Sequence, residues 1–262
     1  MIIPERFQKH VSAHLMGNFL NIEHFPLILA IMGEPGMGKT WQLREHLKAL
    51  DVDCLSVSSA DLESENAGVP AKLLKDQYIK ASINIAQKHP SAIVIDDIDT
   101  TVGEWENNTG TVNHQGILAF LMHIADNPNY IEGSGKLERV PIFFTGNNFN
   151  LLYEPLRRPG RTRRFDWKPT KEERVEIVGE IFGLSDKSFA NQIVESFPNS
   201  SVAFFADFYT SKCIEELNGF VSNAGLKCIF NDIDYKNKVT QKYYDSLKDV
   251  DWVKYITERS EK

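Results

Sequence analysis

The sequence predicts an α/β protein, an αβα sandwich around a parallel sheet, followed by a smaller helical domain. Short apolar runs alternate with helical patterns as far as residue 145, which is typical of parallel strands covered on both faces. Residues 33–40 read Gly-Glu-Pro-Gly-Met-Gly-Lys-Thr and stand between an apolar run and a helical pattern, as in a phosphate-binding loop. After residue 169 only helical patterns recur convincingly.

Length and composition place the chain among ordinary globular proteins. Its 262 residues are enough for one large and one small domain with a substantial core. Hydrophobic residues make up 42% and charged residues 25%, a balance typical of soluble proteins. The formal net charge of −7 gives no general reason to expect nucleic acid as a partner.

The cysteines and the N-terminus bear on the compartment. Cys54, Cys213 and Cys228 show no C-x-x-C spacing, so we expect buried packing residues in a reducing compartment, without a disulfide framework or thiolate metal site. The first residues show no signal or transit pattern, and no apolar run approaches about 18 residues. We therefore expect a cytoplasmic protein without a membrane segment.

The elements of the sheet follow in order. Residues 1–25 carry apolar positions near helical spacing and are predicted to form an N-terminal helical linker. Strands are predicted at residues 27–32, 55–58, 93–95 and 142–145, and helices at residues 39–50, 70–88 and 114–126. The loops at residues 99–113 and 127–140 are long and polar, so they are candidates to carry function.

The helical domain begins where the composition changes after Trp167-Lys168-Pro169. Thr170 and Glu173 have the spacing of a capping box, which predicts the start of a helix. Helices are predicted at residues 170–183, 186–196, 202–219 and 233–258. The chain therefore divides into a linker (1–25), a nucleotide-binding domain (26–168) and a helical domain (169–262).

The loop at residues 33–40 predicts nucleotide binding. Gly33, Gly36 and Gly38 let successive backbone N–H groups turn inward, and the positive end of the following helix adds to their field. Lys39 would reach the β- and γ-phosphates, and Thr40 would ligate Mg²⁺. The remaining candidate nucleotide contacts are Glu34, Pro35, Met37 and Trp41. A plain glycine-rich turn is the competing interpretation, which the preceding strand and the following helix disfavour.

Two further strand ends carry polar residues. Asp96 and Asp97 follow the apolar run 93–95, at the edge where ligands bind in open α/β sheets. Asp96 would hold the Mg²⁺ shell, and Asp97 would orient or polarise an attacking water molecule. A solvated acidic turn is the alternative. Asn147 follows the next strand and could contact a phosphate or that water, although Gly-Asn is equally a common turn dipeptide.

Five arginines lie within eight residues: Arg157, Arg158, Arg161, Arg163 and Arg164. Planar guanidinium groups suit phosphates. Three interpretations compete, namely fingers inserted into a neighbouring subunit's nucleotide, a nucleic-acid patch, and a solvated basic face. The run of charge alone favours the solvated face.

The order of these motifs, phosphate-binding loop, Asp-Asp strand, Thr-Gly-Asn strand end and Arg-Pro-Gly-Arg before a helical lid, resembles that of AAA+ ATPases. Residues 59–73, which read Ser-Ala-Asp-Leu-Glu-Ser-Glu-Asn-Ala-Gly-Val-Pro-Ala-Lys-Leu, are similar to a loop of plant-type Rubisco activase. Shorter matches follow in the same order at residues 111–113, 121–128, 139–142 and 145–147. The resemblance spans about residues 14–200.

The resemblance implies a five-stranded AAA+ fold that binds ATP and Mg²⁺ in a homo-oligomeric ring, expected to be hexameric. Lys39 and Thr40 would bind nucleotide and Mg²⁺, Asp96 and Asp97 would form the Walker B pair, and Asn147 would be sensor 1. Arg158 and Arg161 would be arginine fingers, which now becomes the favoured interpretation of the basic run. Residues 61–70 and 103–113 resemble segments that face the central pore.

Three departures qualify this comparison. Most AAA+ proteins have Glu where Asp97 stands; activases resemble this chain in having Asp, and the shorter side chain suggests slow hydrolysis. The lid positions at which activases carry arginine hold Tyr209 and Ser211, with Lys212 beside them. The N-terminal recognition domain and long C-terminal extension of plant activases are not recognisable.

We therefore expect an AAA+ ATPase that couples ATP binding and hydrolysis to remodelling of a protein client, and a client other than plant-type Rubisco. One alternative is a nucleotide-dependent scaffold or switch that hydrolyses little. Another is a DNA-directed AAA+ protein, which the overall acidity disfavours. We expect neither a nucleic-acid nor a membrane partner.

Overall fold

The computed structural model describes residues 2–62, 68–101 and 112–260. It divides into two compact units, one formed by Glu5–Lys168 and the other by Pro169–Lys262 with Met1–Pro4. Within the described residues, no helix combines the length and apolarity needed to cross a bilayer.

The first unit contains one five-stranded sheet. Its strands are Ile28–Met32 (β1), Asp53–Val57 (β2), Ser91–Ile95 (β3), Ile142–Gly146 (β4) and Thr162–Asp166 (β5). They lie in the order β2-β3-β4-β1-β5, and every pairing is parallel. All residues of β1, β3 and β4 are buried, because helices cover both faces of the sheet. The predicted α/β fold with a parallel five-stranded sheet is confirmed.

The helices of this unit are Glu5–Phe19 (α1), Lys39–Ala49 (α2), Ser59–Leu62 (α3), Val69–Ala86 (α4), Ile98–Thr101 (α5) and Val112–Asp126 (α6). Helix α1 packs on the sheet: the Phe7 ring lies 4.9 Å from that of Trp167 and 5.8 Å from that of Phe165, and His14 contacts the Phe143 ring at 5.0 Å. Two short 3-10 turns, Phe149–Leu151 and Glu154–Arg157, connect β4 to β5.

Within its described residues, the second unit consists of helices and the segments that connect or precede them. Its helices are Lys171–Ile181 (α7), Lys187–Ser196 (α8), Val202–Asn231 (α9), Ile233–Lys248 (α10) and Trp252–Ser260 (α11). The predicted capping box at Thr170 and Glu173 is present, with both reciprocal hydrogen bonds formed. Phe205 is fully buried and packs edge-on against Phe182, whose ring also lies 4.4 Å from that of Trp252.

Several elements differ from the sequence-based expectations. The sequence pattern does not predict strand β5, because residues 162–166 contain two arginines of the basic run and no continuous apolar stretch. Helix α9 continues to Asn231, beyond the predicted end at residue 219, and the predicted helix 233–258 is two helices. Cys54 is exposed, so the expectation of a buried packing residue is wrong for this cysteine. It lies on β2, an edge strand that packs against one neighbour only.

Candidate functional site

The phosphate-binding loop connects the end of β1 at Met32 to the start of α2 at Lys39. Gly36 and Gly38 both have φ of 74°, a left-handed conformation that glycine adopts without the cost of a Cβ atom. Gly33 is required for another reason, since a Cβ atom there would lie 2.2 Å from the Trp167 carbonyl oxygen. The N-cap residue of α2 is Gly38, which has no side chain to cap the helix, so the first N–H groups keep the positive end of the helix directed at the loop.

Trp167, the residue that follows β5, holds this loop in place. Its backbone N–H donates to the Met32 carbonyl oxygen at 2.6 Å, and its indole Nε1–H donates to the Met37 carbonyl oxygen at 3.0 Å. The side chain is fully buried. Trp167 therefore fastens both the base and the tip of the loop, a role that sequence reasoning missed.

Lys39 is buried but well supplied with acceptors. Its Nζ donates to the carbonyl oxygens of Gly33 at 2.6 Å and Glu34 at 2.9 Å, and to Asn147 Oδ1 at 3.2 Å. Burial lowers the pKa of Lys39, and the carboxylates of Asp97 and Asp99 oppose that shift. The ammonium group is thus a localised positive charge held at the centre of the site.

A chain of oxygen atoms connects the loop to the strand ends. Thr40 Oγ1 donates to Thr145 Oγ1 at 3.1 Å, and Thr145 Oγ1 donates to Asp96 Oδ1 at 3.0 Å. The other oxygen of Asp96 forms a short ion pair with Arg44, which also donates to Ser56 Oγ at 2.7 Å. The two predicted metal ligands, Thr40 and Asp96, are therefore brought together through Thr145, which sequence reasoning did not select.

Asp97 and Asn147 line the same cavity. Its volume is about 340 Å³, and it is lined by Pro35, Gly36, Met37, Gly38, Lys39, Thr40, Trp41, Asp97 and Asn147. Asp97 has φ of 49°, in the left-handed region that Asp tolerates better than most residues. The structure thus gathers most of the predicted nucleotide contacts, with Asp97 and Asn147, around one space; Gly33 and Glu34 lie at its base through their hydrogen bonds to Lys39.

Asp99 supports Asn147 from below. Its Oδ2 accepts the backbone N–H groups of Asn147 at 2.8 Å and Asn148 at 2.9 Å. The residue is buried, and its Oδ1 has no hydrogen-bond partner among the described residues. A Cβ atom at Gly146 would lie 2.6 Å from that oxygen, so the glycine in Thr-Gly-Asn makes room for the carboxylate.

The arginine run does not form one patch. Arg158 and Arg161 line a second cavity of about 690 Å³, apart from the phosphate-binding loop. Arg163 and Arg164 lie on β5, where successive side chains point to opposite faces, and Arg164 pairs with Asp166 at 2.7 Å. This separation removes the support for a continuous nucleic-acid surface.

The predicted pore-facing segments fall largely outside the described residues. Within the described part, the Gly68 N–H donates to Asn113 Oδ1 at 2.7 Å, so the ends of the two segments meet. Lys212, beside the lid positions singled out above, forms an ion pair with Glu216 at 2.6 Å.

The residues around the smaller cavity fit a nucleotide polyphosphate and a magnesium ion. Left-handed glycines, uncapped helix N–H groups and a lysine ammonium are the donors that phosphate prefers. Thr40 and Asp96 offer the hard oxygen ligands that Mg²⁺ prefers. Residues 29–170 also match the family described as "ATPase family associated with various cellular activities (AAA)".

The chain belongs to the AAA family. The matched residues of this AAA protein include all of β1 except Ile28, strands β2 to β5, Asp96 and Asp97, and also Arg158 and Arg161.

Curated relatives extend the match. The chain is 38% identical over 235 residues to the ribulose bisphosphate carboxylase/oxygenase activase of Anabaena sp., which covers 85% of this chain and 56% of that protein. It is 36% identical to the chloroplastic activase of Zea mays, covering 87% of this chain and 55% of the relative. It is also 36% identical to the chloroplastic activase of Spinacia oleracea, over 86% of this chain and 50% of that relative. The similarity thus covers more than residues 14–200, and the chain spans about half the length of these relatives.

Proposed function

We propose that this AAA protein hydrolyses ATP and, in a homo-oligomeric ring, couples binding and hydrolysis to remodelling of a protein client. The observation that carries the proposal is the cluster at the carboxyl ends of β1, β3 and β4. There Lys39, Asp97 and Asn147 line one cavity, and a hydrogen-bond chain runs from Thr40 to Asp96.

Nucleotide binding falls to the loop. Backbone N–H groups of residues 36–41 surround the phosphates, and Lys39 exchanges part of its carbonyl contacts for phosphate oxygens. Thr40 and Asp96 hold Mg²⁺, which when bound neutralises charge on the phosphates. To reach the metal, Asp96 exchanges its ion pair with Arg44 for Mg²⁺. Arg44 is not left without a partner by this exchange, because it keeps its hydrogen bond to Ser56.

Hydrolysis falls to Asp97 and Asn147. Asp97 accepts a hydrogen bond from the attacking water and polarises it. The Asn147 amide orients the γ-phosphate or that water, and Asp99 fixes the Asn147 backbone.

Completion of the site requires a second subunit. Arg158 and Arg161 line a different cavity from the phosphate-binding loop, so the surface that carries them supplies the arginine finger for a neighbour's nucleotide. Such a contact joins two different surfaces and closes into a ring when the rotation permits. We propose a hexamer.

The conformational change that follows ATP binding and hydrolysis reaches the client through the nucleotide-binding domain, residues 26–168. Residues 169–262 act as the lid of that domain. Helix α6 supports this proposal, because its first turn contacts Gly68 through Asn113 and its last residue, Asp126, contacts Arg161. A rigid helix of this length can couple the pore-facing segments to the fingers.

The client is a protein. The relatives are named as activases of ribulose bisphosphate carboxylase/oxygenase, and our prediction that the client differs from plant-type Rubisco is tested by ATP-dependent reactivation of sugar-phosphate-inhibited plant Rubisco. Reactivation by a preparation that also hydrolyses ATP would make Rubisco the client. Absence of reactivation by the same active preparation supports another client.

A nucleotide-dependent switch that hydrolyses little is the second candidate, favoured by the short Asp97 side chain at the catalytic position. Turnover measured at high protein concentration separates the two, because rings with trans fingers become more active as subunits assemble.

Lys39→Ala tests the nucleotide site. Loss of the ammonium group should weaken binding of a fluorescent ATP analogue by about 100-fold, the usual order for a charge-assisted contact. Lys48→Ala, an exposed lysine on the same helix, is the matched control and should bind as the wild type does. Equal affinity in both variants would overturn the proposed site.

A further inference from the structure

Arg161 is committed to partners within its own subunit. Its Nε donates to Asp126 Oδ1 at 2.7 Å, and its Nη2 donates to Asp126 Oδ2 at 2.6 Å. Its Nη1 donates to the Pro155 carbonyl oxygen at 2.8 Å. The paired carboxylate raises the pKa of Arg161. A planar fork matched to both oxygens of a carboxylate is the strongest geometry that arginine offers.

Arg158 has a different setting three residues earlier. Its side chain is exposed, and it forms no hydrogen bond or ion pair with the described part of the chain. Its carbonyl oxygen accepts the N–H groups of Arg161 at 3.1 Å and Thr162 at 3.3 Å. Gly160, at φ of 96°, lets the chain turn back at this point. The turn therefore presents Arg158 outward and returns Arg161 to helix α6.

Release of Arg161 would expose an unfavourable charge. Asp126 is the last residue of α6, where the partial negative charge of the helix end repels a carboxylate. The positive charge of Arg161 offsets this repulsion. Solvent screens that charge only weakly, because only 20% of the Arg161 side chain is exposed. Moving Arg161 to a neighbour's phosphate would leave Asp126 without that compensation.

We propose that the two arginines have separate tasks: Arg158 alone reaches the neighbouring subunit's nucleotide, and Arg161 is a positioning residue that, with Asp126, braces the turn at residues 158–161. The inference rests on the proposed function and narrows it. It makes Asp126 necessary for hydrolysis although Asp126 touches no nucleotide.

The two possible tasks of Arg161 predict opposite effects of Asp126→Ala. If Arg161 is a brace, this variant and Arg161→Ala each lower kcat at least tenfold while ATP affinity stays unchanged, and the two losses do not add. If Arg161 is a finger, Asp126→Ala frees it and leaves kcat unchanged or higher. Asp166→Ala, which breaks the exposed Arg164–Asp166 pair, is the control and should keep wild-type kcat.

A charge swap gives the decisive comparison. Asp126→Arg combined with Arg161→Asp restores the ion pair with its charges exchanged. If Arg161 is a brace, the double variant recovers most of kcat. If Arg161 is a finger, kcat stays low because position 161 no longer carries an arginine. Arg161→Lys, which keeps one charged contact, should lie between Arg161→Ala and the wild type. Inactivity of both the swap and the Lys variant, in folded rings, contradicts the brace.

A second readout does not depend on turnover. Asp126→Ala should speed hydrogen exchange at the Arg161 and Thr162 amides, which the brace holds against the Arg158 carbonyl, and should leave exchange in β1 unchanged. Unchanged exchange at the turn overturns the inference. Absence of turnover in the wild type would instead count against the proposed ATPase, and the two failures are thereby distinguished.

Discussion

At the scale of single residues, Asp97 combines a special backbone with a special place. Its φ of 49° costs a side-chain-bearing residue about 1 kcal/mol, and its carboxylate lies close enough to Lys39 to oppose the lowering of the lysine's pKa by burial. Functional sites are where such backbone strain tends to be retained. The residue's position therefore agrees with a task in the reaction more than with a solvated turn.

Asp97→Asn should retain affinity for Mg-ATP and lower kcat by about 10²- to 10⁴-fold, because an amide cannot accept the proton of the attacking water. Phosphate release at saturating ATP measures kcat, and a fluorescent ATP analogue measures affinity. The control is Asp51→Asn, since Asp51 has a similar φ of 53° and is exposed. Equal kcat for Asp97→Asn and the wild type would assign the water to another residue.

Asp99→Ala should lower the free energy of unfolding by about 2 kcal/mol. The variant leaves the Asn147 and Asn148 N–H groups without their acceptor, at roughly 1–3 kcal/mol each, while relief of the unpartnered Oδ1 offsets part of that loss. Urea denaturation measures the change. Asp99→Asn, which keeps one acceptor oxygen, should lose less, and equal stability of all three proteins would contradict the supporting role.

The sequence predicted which polar residues meet at the sheet edge when a local signal existed. Lys39 and Thr40 belong to a contiguous motif, and Asp96 and Asn147 follow apolar strands, so parallel topology alone brings them together. Trp167 is 130 residues from Met37, and its two loop contacts have no local pattern. In the sequence, nothing distinguishes Arg44 from other charged residues on a helix surface. Only the fold places it beside Asp96. The catalytic roles themselves stay predictions.

At the scale of elements, burial determines what can be predicted. Strands β1, β3 and β4 are buried along their whole length and are continuous apolar runs in the sequence. Strand β5 reads Thr-Arg-Arg-Phe-Asp and forms one edge of the sheet. Only Thr162 and Phe165 are buried, so neither an apolar run nor a regular alternation marks it as a strand. The boundary between α10 and α11 does have a sequence signal. Asp251 precedes α11 and caps it by accepting the Lys254 N–H at 3.1 Å.

The packing of α1 on β4 predicts a pH dependence of stability. His14 is fully buried, its Nε2 lies 3.2 Å from the Ile142 carbonyl oxygen, and burial lowers its pKa to about 3, with Arg163 and Arg139 adding to the shift. The unfolded chain protonates His14 near its ordinary pKa of about 6.5. The folded state therefore loses stability as pH falls from about 6.5 towards 3.

From pH 7 to pH 5 this group should lower the free energy of unfolding by about 2 kcal/mol. His14→Gln keeps a donor for Ile142 and does not titrate, so the stability difference between wild type and variant should narrow by that amount. Urea denaturation at both pH values measures it. A difference that is independent of pH would mean that another group accounts for acid sensitivity.

At the scale of the whole molecule, the proposed ring requires two half-sites on each subunit. The cavity at the phosphate-binding loop and the cavity at Arg158 have no lining residue in common. In the proposed assembly these two surfaces complete one another in a head-to-tail contact, which closes into a ring when the rotation between subunits permits. The sequence indicated this organisation only through resemblance, because nothing in the arginine run itself distinguishes a finger from a solvated charge.

Mixing subunits with complementary defects tests the trans arrangement. Arg158→Ala removes the finger but leaves Asp97, whereas Asp97→Asn removes the catalytic carboxylate but leaves the finger, so each protein alone should be inactive. In mixed rings, an intact Asp97 meets an intact Arg158 at about a quarter of the interfaces if subunits exchange at random. Turnover should therefore reappear on mixing, at roughly that fraction of the wild-type rate.

The control mixture combines Lys39→Ala with Asp97→Asn. Both substitutions damage the phosphate-binding half-site, so no interface in their mixed rings has an intact nucleotide site beside an intact finger, and turnover should stay absent. Native mass spectrometry establishes that both mixtures contain rings with both kinds of subunit. Mixed rings of Arg158→Ala and Asp97→Asn without turnover would show that Arg158 does not act across the interface, whereas turnover in the control mixture would mean that Lys39 is dispensable.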